Sequence, residues 1–225
     1  MKKLSIMAMM LCISAITFAQ NTGTRSLGSF NRISVGESVT VILVKGSSEK
    51  AEIEVSGADL DDVETRVSNG RLTVGMASGS YKRVKVRATI TYKSLERVSV
   101  SSSATIKSDE TITAKELQLS ASSSGYMSLT LDVDDLRANV GSSATVKLSG
   151  SADEVDVRVD TSGDLRAYDL VTRDANVTAN SSGRAEVNVT KTLDASANSS
   201  GKVVYKGSPD NVSVSANSAG RVVKG

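Results

Sequence analysis

The sequence predicts an all-β fold: a parallel β-helix of about seven rungs behind a mostly antiparallel N-terminal β cap. Three observations predict it. "ANSSG" stands at 179–183 and again at 197–201, and "ANSAG" follows at 216–220. Around each phrase Val, Leu, Ile and Ala alternate with polar residues, the period of a half-buried strand. Continuous helical periodicity is absent, and "GADLDDVETRV" has room for one helical turn and no more.

Residues 1–19 read as a secretory leader. "MKK" is the basic start, "LSIMAMMLCISAI" the apolar stretch, and Thr17 and Ala19 are the small residues that place cleavage after Ala19. The apolar run is shorter than the ~20 residues of a spanning helix, so no transmembrane segment is expected after cleavage. Cys12 sits inside the apolar run without the Leu-x-small-small pattern of a lipoprotein signal before it. Cleavage removes Lys2, Lys3 and the single cysteine, taking the formal charge from +2 to 0 and leaving no disulfide. The expected location is outside the cytoplasm, in a periplasm or on the cell surface. A net charge near zero predicts no nucleic-acid partner.

Residues 20–95 form the cap region. "SVTVILVKGSSEKAEIEV" reads as two strands around a Gly-Ser turn, and "VETRVSNGRLTVGM" as a hairpin turning at Asn69-Gly70. In "YKRVKVRATITY", Val84, Val86, Ala88 and Ile90 alternate with Lys85, Arg87, Thr89 and Thr91. No nineteen-residue period is visible before Leu95, and a solenoid end needs a polar cover.

Residues 96–225 carry the repeat. The small residue closing each phrase falls at Ala104, Gly125, Ala144, Gly163, Gly183, Gly201 and Gly220, at spacings of 21, 19, 19, 20, 18 and 19. Two before it stands a hydroxyl every time, from Ser102 to Ser218. Six before it the column is Val98, Leu119, Ala138, Val157, Val177, Ala195, Val214, and two after it Ile106, Met127, Val146, Leu165, Ala185, Val203, Val222. The columns five and seven before it are polar throughout. Such a unit cannot bury its own apolar face, but stacked units can, with rungs ~4.8 Å apart. Each phrase then marks a corner, narrowed by its Gly or Ala, with hydroxyl and amide ladders running along the stack. Asn180, Asn198 and Asn217 open the last corners, where a left-handed Asn is expected. A variable stretch of about six residues closes each unit. A propeller blade needs about 40 residues, a sandwich would not hold seven columns in register, and a left-handed hexapeptide coil requires multiples of six. The expected hand is right, that of nearly all parallel crossovers.

The opening "RSLGSFNRISVGESVTVILVKGSSEKAEIEVSG", then "VSNGRLTV", then serial "SSSA", "SSSG" and "NSSG" corners resembles the head GIN domain family over residues 25–225. Members are described as auto-transporter adhesins of Bacteroidetes. The resemblance implies an exported β-helical protein. The sequence departs from an auto-transporter: after the repeat no residues remain for a translocator barrel, and it ends "RVVKG".

The chain has no His, which excludes Ser–His catalysis and the common zinc sites. The serines read as corner residues. Paired carboxylates able to cleave glycans would have to come from Asp59, Asp61 and Asp62, from Asp134–Asp135, or from Asp153–Glu154. The last two pairs occupy equivalent places in successive repeats and read as a solvated acidic corner. No cofactor is expected. Tyr126, Tyr168 and Tyr205 fall in different columns and form no aromatic stripe. The candidate ligand-binding residues are basic. One position after the corner stand Arg184, Lys202 and Arg221, and three after it Lys107, Lys147 and Arg166. Stacked like charges suit an anionic glycan or envelope saccharide, although Asp164 and Glu186 stand close enough in sequence to relieve them. Three functions compete: a non-enzymatic surface or envelope binding protein of adhesin type, a β-helical polysaccharide-active enzyme, and a purely structural envelope component. Scarce aromatics and the missing His favour the first and third over the second. An open last rung further predicts end-to-end dimers.

Overall fold

The computed structural model describes residues 21–225. The leader expected at 1–19 lies outside the described residues. The chain opens with β1 (Asn21–Ser26), β2 (Arg32–Val35), β3 (Thr40–Lys45) and β4 (Lys50–Ser56). A single 3-10 turn, Leu60–Asp62, precedes β5 (Val63–Ser68), β6 (Arg71–Met76), β7 (Lys85–Tyr92) and β8 (Arg97–Val100). Five long strands follow: β9 (Thr105–Ala121), β10 (Tyr126–Val140), β11 (Thr145–Val159), β12 (Asp164–Ala179) and β13 (Arg184–Ala197). The last are β14 (Lys202–Lys206), β15 (Asn211–Ala216) and β16 (Arg221–Lys224).

From β8 onward every pairing is parallel, and the coil makes about seven turns. The apolar column six before the corner stacks as the spacing demands: Val98 on Leu119, then Ala138, Val157, Val177, Ala195 and Val214. The column two after the corner stacks from Ile106 to Val222. Both are buried along the coil, because alternate residues of each strand face inward and the next rung covers them. The last rung lacks that cover, so Val214 is 56% exposed although it occupies an inward column.

The unequal spacings are absorbed in the variable stretch. The 21-residue rung carries two extra residues between Lys107 and Thr111 relative to β10. The 20-residue rung carries one extra between Arg166 and Asp169 relative to β11. Corners therefore stay in register while the far side of each rung varies.

Each corner is built by two consecutive residues in left-handed backbone, from Ser102 and Ser103 (φ 51° and 59°) to Ser218 and Ala219 (φ 49° and 63°). The expectation for Asn180, Asn198 and Asn217 is corrected here: the left-handed residues are the two that follow each of them. The asparagines instead form an amide ladder, Asn198 Nδ2 donating to Asn180 Oδ1 at 3.2 Å and Asn217 Nδ2 to Asn198 Oδ1 at 3.3 Å. The corner serines are joined through backbone rather than hydroxyls. Ser103 N–H donates to the Ser123 carbonyl at 2.9 Å, and Ser124 N–H to that of Ser142 at 2.9 Å. The closing glycine is needed for close approach: a Cβ at Gly201 would lie 2.1 Å from the Ala179 carbonyl oxygen.

The N-terminal region is antiparallel at its outer side, where β1 pairs β4, β4 pairs β7 and β5 pairs β6. Between these strands and the repeat, β2 runs parallel to β6 and β8, and β3 parallel to β7 and β9. Ile33 stacks on Val98 and Val41 on Ile106, so both inward columns continue into the cap. Glu37 and Ser38 (φ 58° and 60°) form one more corner of the same kind, closed by Val39. The sequence hid it, since "VGESV" has Glu for the first Ser and Val for the small residue, and residues 46–94 intervene before the next rung.

Candidate functional site

The outward residues one and three after each corner share a face, because positions two apart on a strand point the same way. On that face Arg184, Lys202 and Arg221 are in register on three consecutive rungs. Lys147 and Arg166 are likewise adjacent. Lys107 stands apart from them, since Ser128 occupies the rung between Lys107 and Lys147.

Carboxylates on the same strands neutralise part of this row. Arg166 bonds Asp164 at 2.7 Å and Arg184 bonds Glu186 at 2.5 Å. The Glu186 hydrogen bond raises the Arg184 guanidinium further above its ordinary pKa. Among the described residues no carboxylate lies within ion-pair distance of Lys107, Lys147, Lys202 or Arg221. At a ~4.8 Å rung spacing, Lys202 and Arg221 are a like-charge pair that an anion would relieve.

Two tyrosines join the cations, which the column argument missed. Lys107 Nζ lies 6.0 Å from the Tyr126 ring centroid and Lys206 Nζ 5.3 Å from that of Tyr168. Burial, then the nearby Glu186 charge, raises the Tyr168 phenol above its usual pKa. Tyr205 belongs elsewhere, packed against the core. A shallow depression of about 390 Å³ opens on this face, lined among others by Lys147, Ser149, Arg166, Tyr168, Asp169 and Glu186.

The acidic candidates form a second feature on the far side of the rungs. Glu116, Asp135, Glu154 and Asp174 are in register on four rungs. Arg173 partly neutralises them, 2.9 Å from Asp174 and 3.8 Å from Glu154. Hydrogen bonds from Thr192 and Arg173 hold the Asp174 carboxyl below its ordinary pKa. Asp134 and Asp153 are exposed within β10 and β11, next to this row in sequence. Asp59, Asp61 and Asp62 belong to the 3-10 turn, where the Asp59 N–H donates to Asp62 Oδ2 at 3.0 Å and the Tyr81 hydroxyl to Asp62 Oδ1 at 3.3 Å. That is local capping of the turn. Among the described residues no helix is long and apolar enough to cross a membrane.

Residues 29–209 match the family described as "Putative auto-transporter adhesin, head GIN domain". No curated protein matches the chain. Among solved structures, the chain is similar to a "putative adhesin" from Bacteroides fragilis, at 20% identity and TM-score 0.80, covering 92% of this chain and 98% of that one. It is similar to a "putative adhesin" from Parabacteroides merdae at 22% identity and TM-score 0.71, covering 92% and 96%. It is also similar to a "putative lipid binding protein" from Parabacteroides distasonis, at 20% identity and TM-score 0.71, with the same coverage. At these identities the likeness shows the shared fold.

Proposed function

The chain belongs to the head GIN domain family, and on that premise we propose that it is an exported, non-enzymatic binding protein of adhesin type that recognises anionic glycans of a cell surface or envelope. The observation that carries the reading is the in-register column Arg184, Lys202, Arg221, in which the last two cations have no carboxylate partner among the described residues. A rigid coil holds the backbone positions that carry these charges at a fixed ~4.8 Å repeat. A flexible acidic polymer can align with that spacing, and the attraction is screened by salt. Export rests on the leader-like residues 1–19. The non-enzymatic reading rests on the absent His, on the pairing of Glu154 and Asp174 with Arg173, and on the use of Asp62 in turn capping.

The test changes Arg184, Lys202 and Arg221 together to Ser and measures binding of the full mature chain to carboxylated and sulfated polysaccharides at low and moderate ionic strength. Parent binding should fall steeply with salt, and the triple variant should lose most of it at low salt. Equal binding by parent and variant, or none by the parent, refutes the glycan reading and leaves a structural envelope role in front.

A further inference from the structure

We propose that the depression beside Tyr168 is a subsite for a single carboxylated sugar unit, a uronate residue of the glycan. The proposal rests on the binding reading above and specifies the ligand that reading takes.

The subsite comes from an irregularity in the repeat. A 20-residue rung is followed by one of 18 residues. Pairing runs Arg166 to Glu186 and Ala167 to Val187, then jumps to Val171 with Asn188. Residues 168–170 therefore have no partner on the shorter rung, although Asp169 and Leu170 still pair with Ser149 and Gly150 of β11. A bulge re-aims side chains and breaks local pairing. Here it carries Tyr168 far enough along the coil for Lys206, on β14, to sit over its ring at 5.3 Å. The Tyr168 ring thus stands as one wall of the depression, with its hydroxyl end beside Gly225 of the last rung.

The rest of the lining selects the ligand. Its volume of about 390 Å³ is within the ~300–1,000 Å³ range of small-molecule sites. Lys147 brings a cation free of ion-pair partners among the described residues, and Arg166 is already shared with Asp164. Asp169 and Glu186 bring acceptors to the same depression, and the Ser149 hydroxyl is bonded to that of Thr130 at 3.0 Å. A sugar ring has apolar C–H faces for an aromatic wall and a rim of hydroxyl donors for carboxylates. A single carboxylate answers Lys147. A sulfate- or phosphate-dense unit would place more negative charge beside Asp169 and Glu186, which disfavours it. A neutral sugar would leave Lys147 without an anion.

The experiment uses the full mature chain and measures affinity for a trigalacturonate, for its neutral trigalactose counterpart and for a sulfated oligosaccharide of the same length. Variants are Tyr168→Ala, Tyr168→Phe and Lys147→Gln. The parent should favour the trigalacturonate over both other probes. Tyr168→Ala should weaken trigalacturonate about tenfold, and Tyr168→Phe only about twofold to threefold. Lys147→Gln should reduce trigalacturonate toward the neutral probe without changing the latter. Should Tyr168→Ala fail to fold, Lys147→Gln, an exposed side chain, carries the test alone. Trigalacturonate binding unchanged in both Tyr168→Ala and Lys147→Gln overturns the subsite, while the salt-dependent polymer binding of the Arg184 column would still stand. A parent that binds no anionic glycan overturns both.

Discussion

Replacing Gly201 by Ala puts a methyl group into the backbone of the preceding rung. An ideal Cβ there lies 2.1 Å from the Ala179 carbonyl oxygen and 2.5 Å from its carbon. Neither atom belongs to a side chain that could swing away. The corner must tilt or the rungs must part, and overpacking of this kind costs about 1–3 kcal/mol. Against that, losing a glycine restricts the unfolded chain and favours folding by about 0.4–1 kcal/mol. The net expectation is a destabilisation of ~1–2 kcal/mol, or a melting temperature lower by ~2–8 °C for a chain of this size. Gly125→Ala is the control in the same column. Its Cβ would lie 3.0 Å from the Val100 carbonyl oxygen, and the neighbouring corners already hold Ala104 and Ala144. A shift of a few tenths of an ångström accommodates it, so its stability should stay within ~0.5 kcal/mol of the parent. Thermal and urea unfolding followed by circular dichroism would compare the two. Equal shifts, or a Gly201→Ala protein as stable as the parent, would refute the view that inter-rung contact sets the corner residue.

Val157→Asp should cost ~3–5 kcal/mol, because Val157 is 1% exposed between Ala138 and Val177 and nothing there pairs a charge; the urea midpoint reads it. Tyr92→Phe should stabilise by ~1 kcal/mol, since the Tyr92 hydroxyl is buried without a hydrogen-bond partner. Burial pushes that phenol from 10.0 up to about 12, so the parent should lose stability as pH rises from 10 toward 12 while the Phe variant loses less, as pH-dependent unfolding midpoints will record. The exposed outer edge of β15 should pair with itself about Val214, setting Val212 against Ala216. Light scattering should then show a dimer that forms with concentration and weakens in Val214→Lys, and strictly monomeric scattering would exclude it.

The parts of the fold legible in the sequence were those that depend on which face a residue takes. Leu119, Ala138 and Val157 recur at a fixed offset because one covers the next, so burial writes itself into the spacing. Backbone conformation is less visible. The left-handed corner rests on Ser181 and Ser182 rather than Asn180, and serine has no marked taste for that region. What holds it there is the ladder of backbone bonds between rungs, a tertiary effect. The corner at Glu37 and Ser38 was hidden for the same reason, as its residues share the conformation of the others but not their chemistry. On the proposed binding face, the column of Arg184, Lys202 and Arg221 was legible from offsets alone. Tyr168 was not, because its place depends on where the extra residue of a 20-residue rung is extruded, which the spacing counts but does not locate.

The uncovered last rung also gives the molecule a direction of melting. In a stacked array each rung is held by the neighbours it touches. Strands β15 and β16 pair on one side only, with β13 and β14, and none of their residues is buried, whereas the edge strands of the opposite end, β1 and β5, are half-buried or buried at alternate residues. Unravelling should therefore begin at β16 and run back like a zipper, with amide exchange fastest there and slowest toward β9 and β10. Lys202 and Arg221 stand on the rungs that loosen first. A polyanion laid along them, as proposed, would clamp the weak end, and occupancy and mechanical persistence of the coil would then be coupled through the same few side chains.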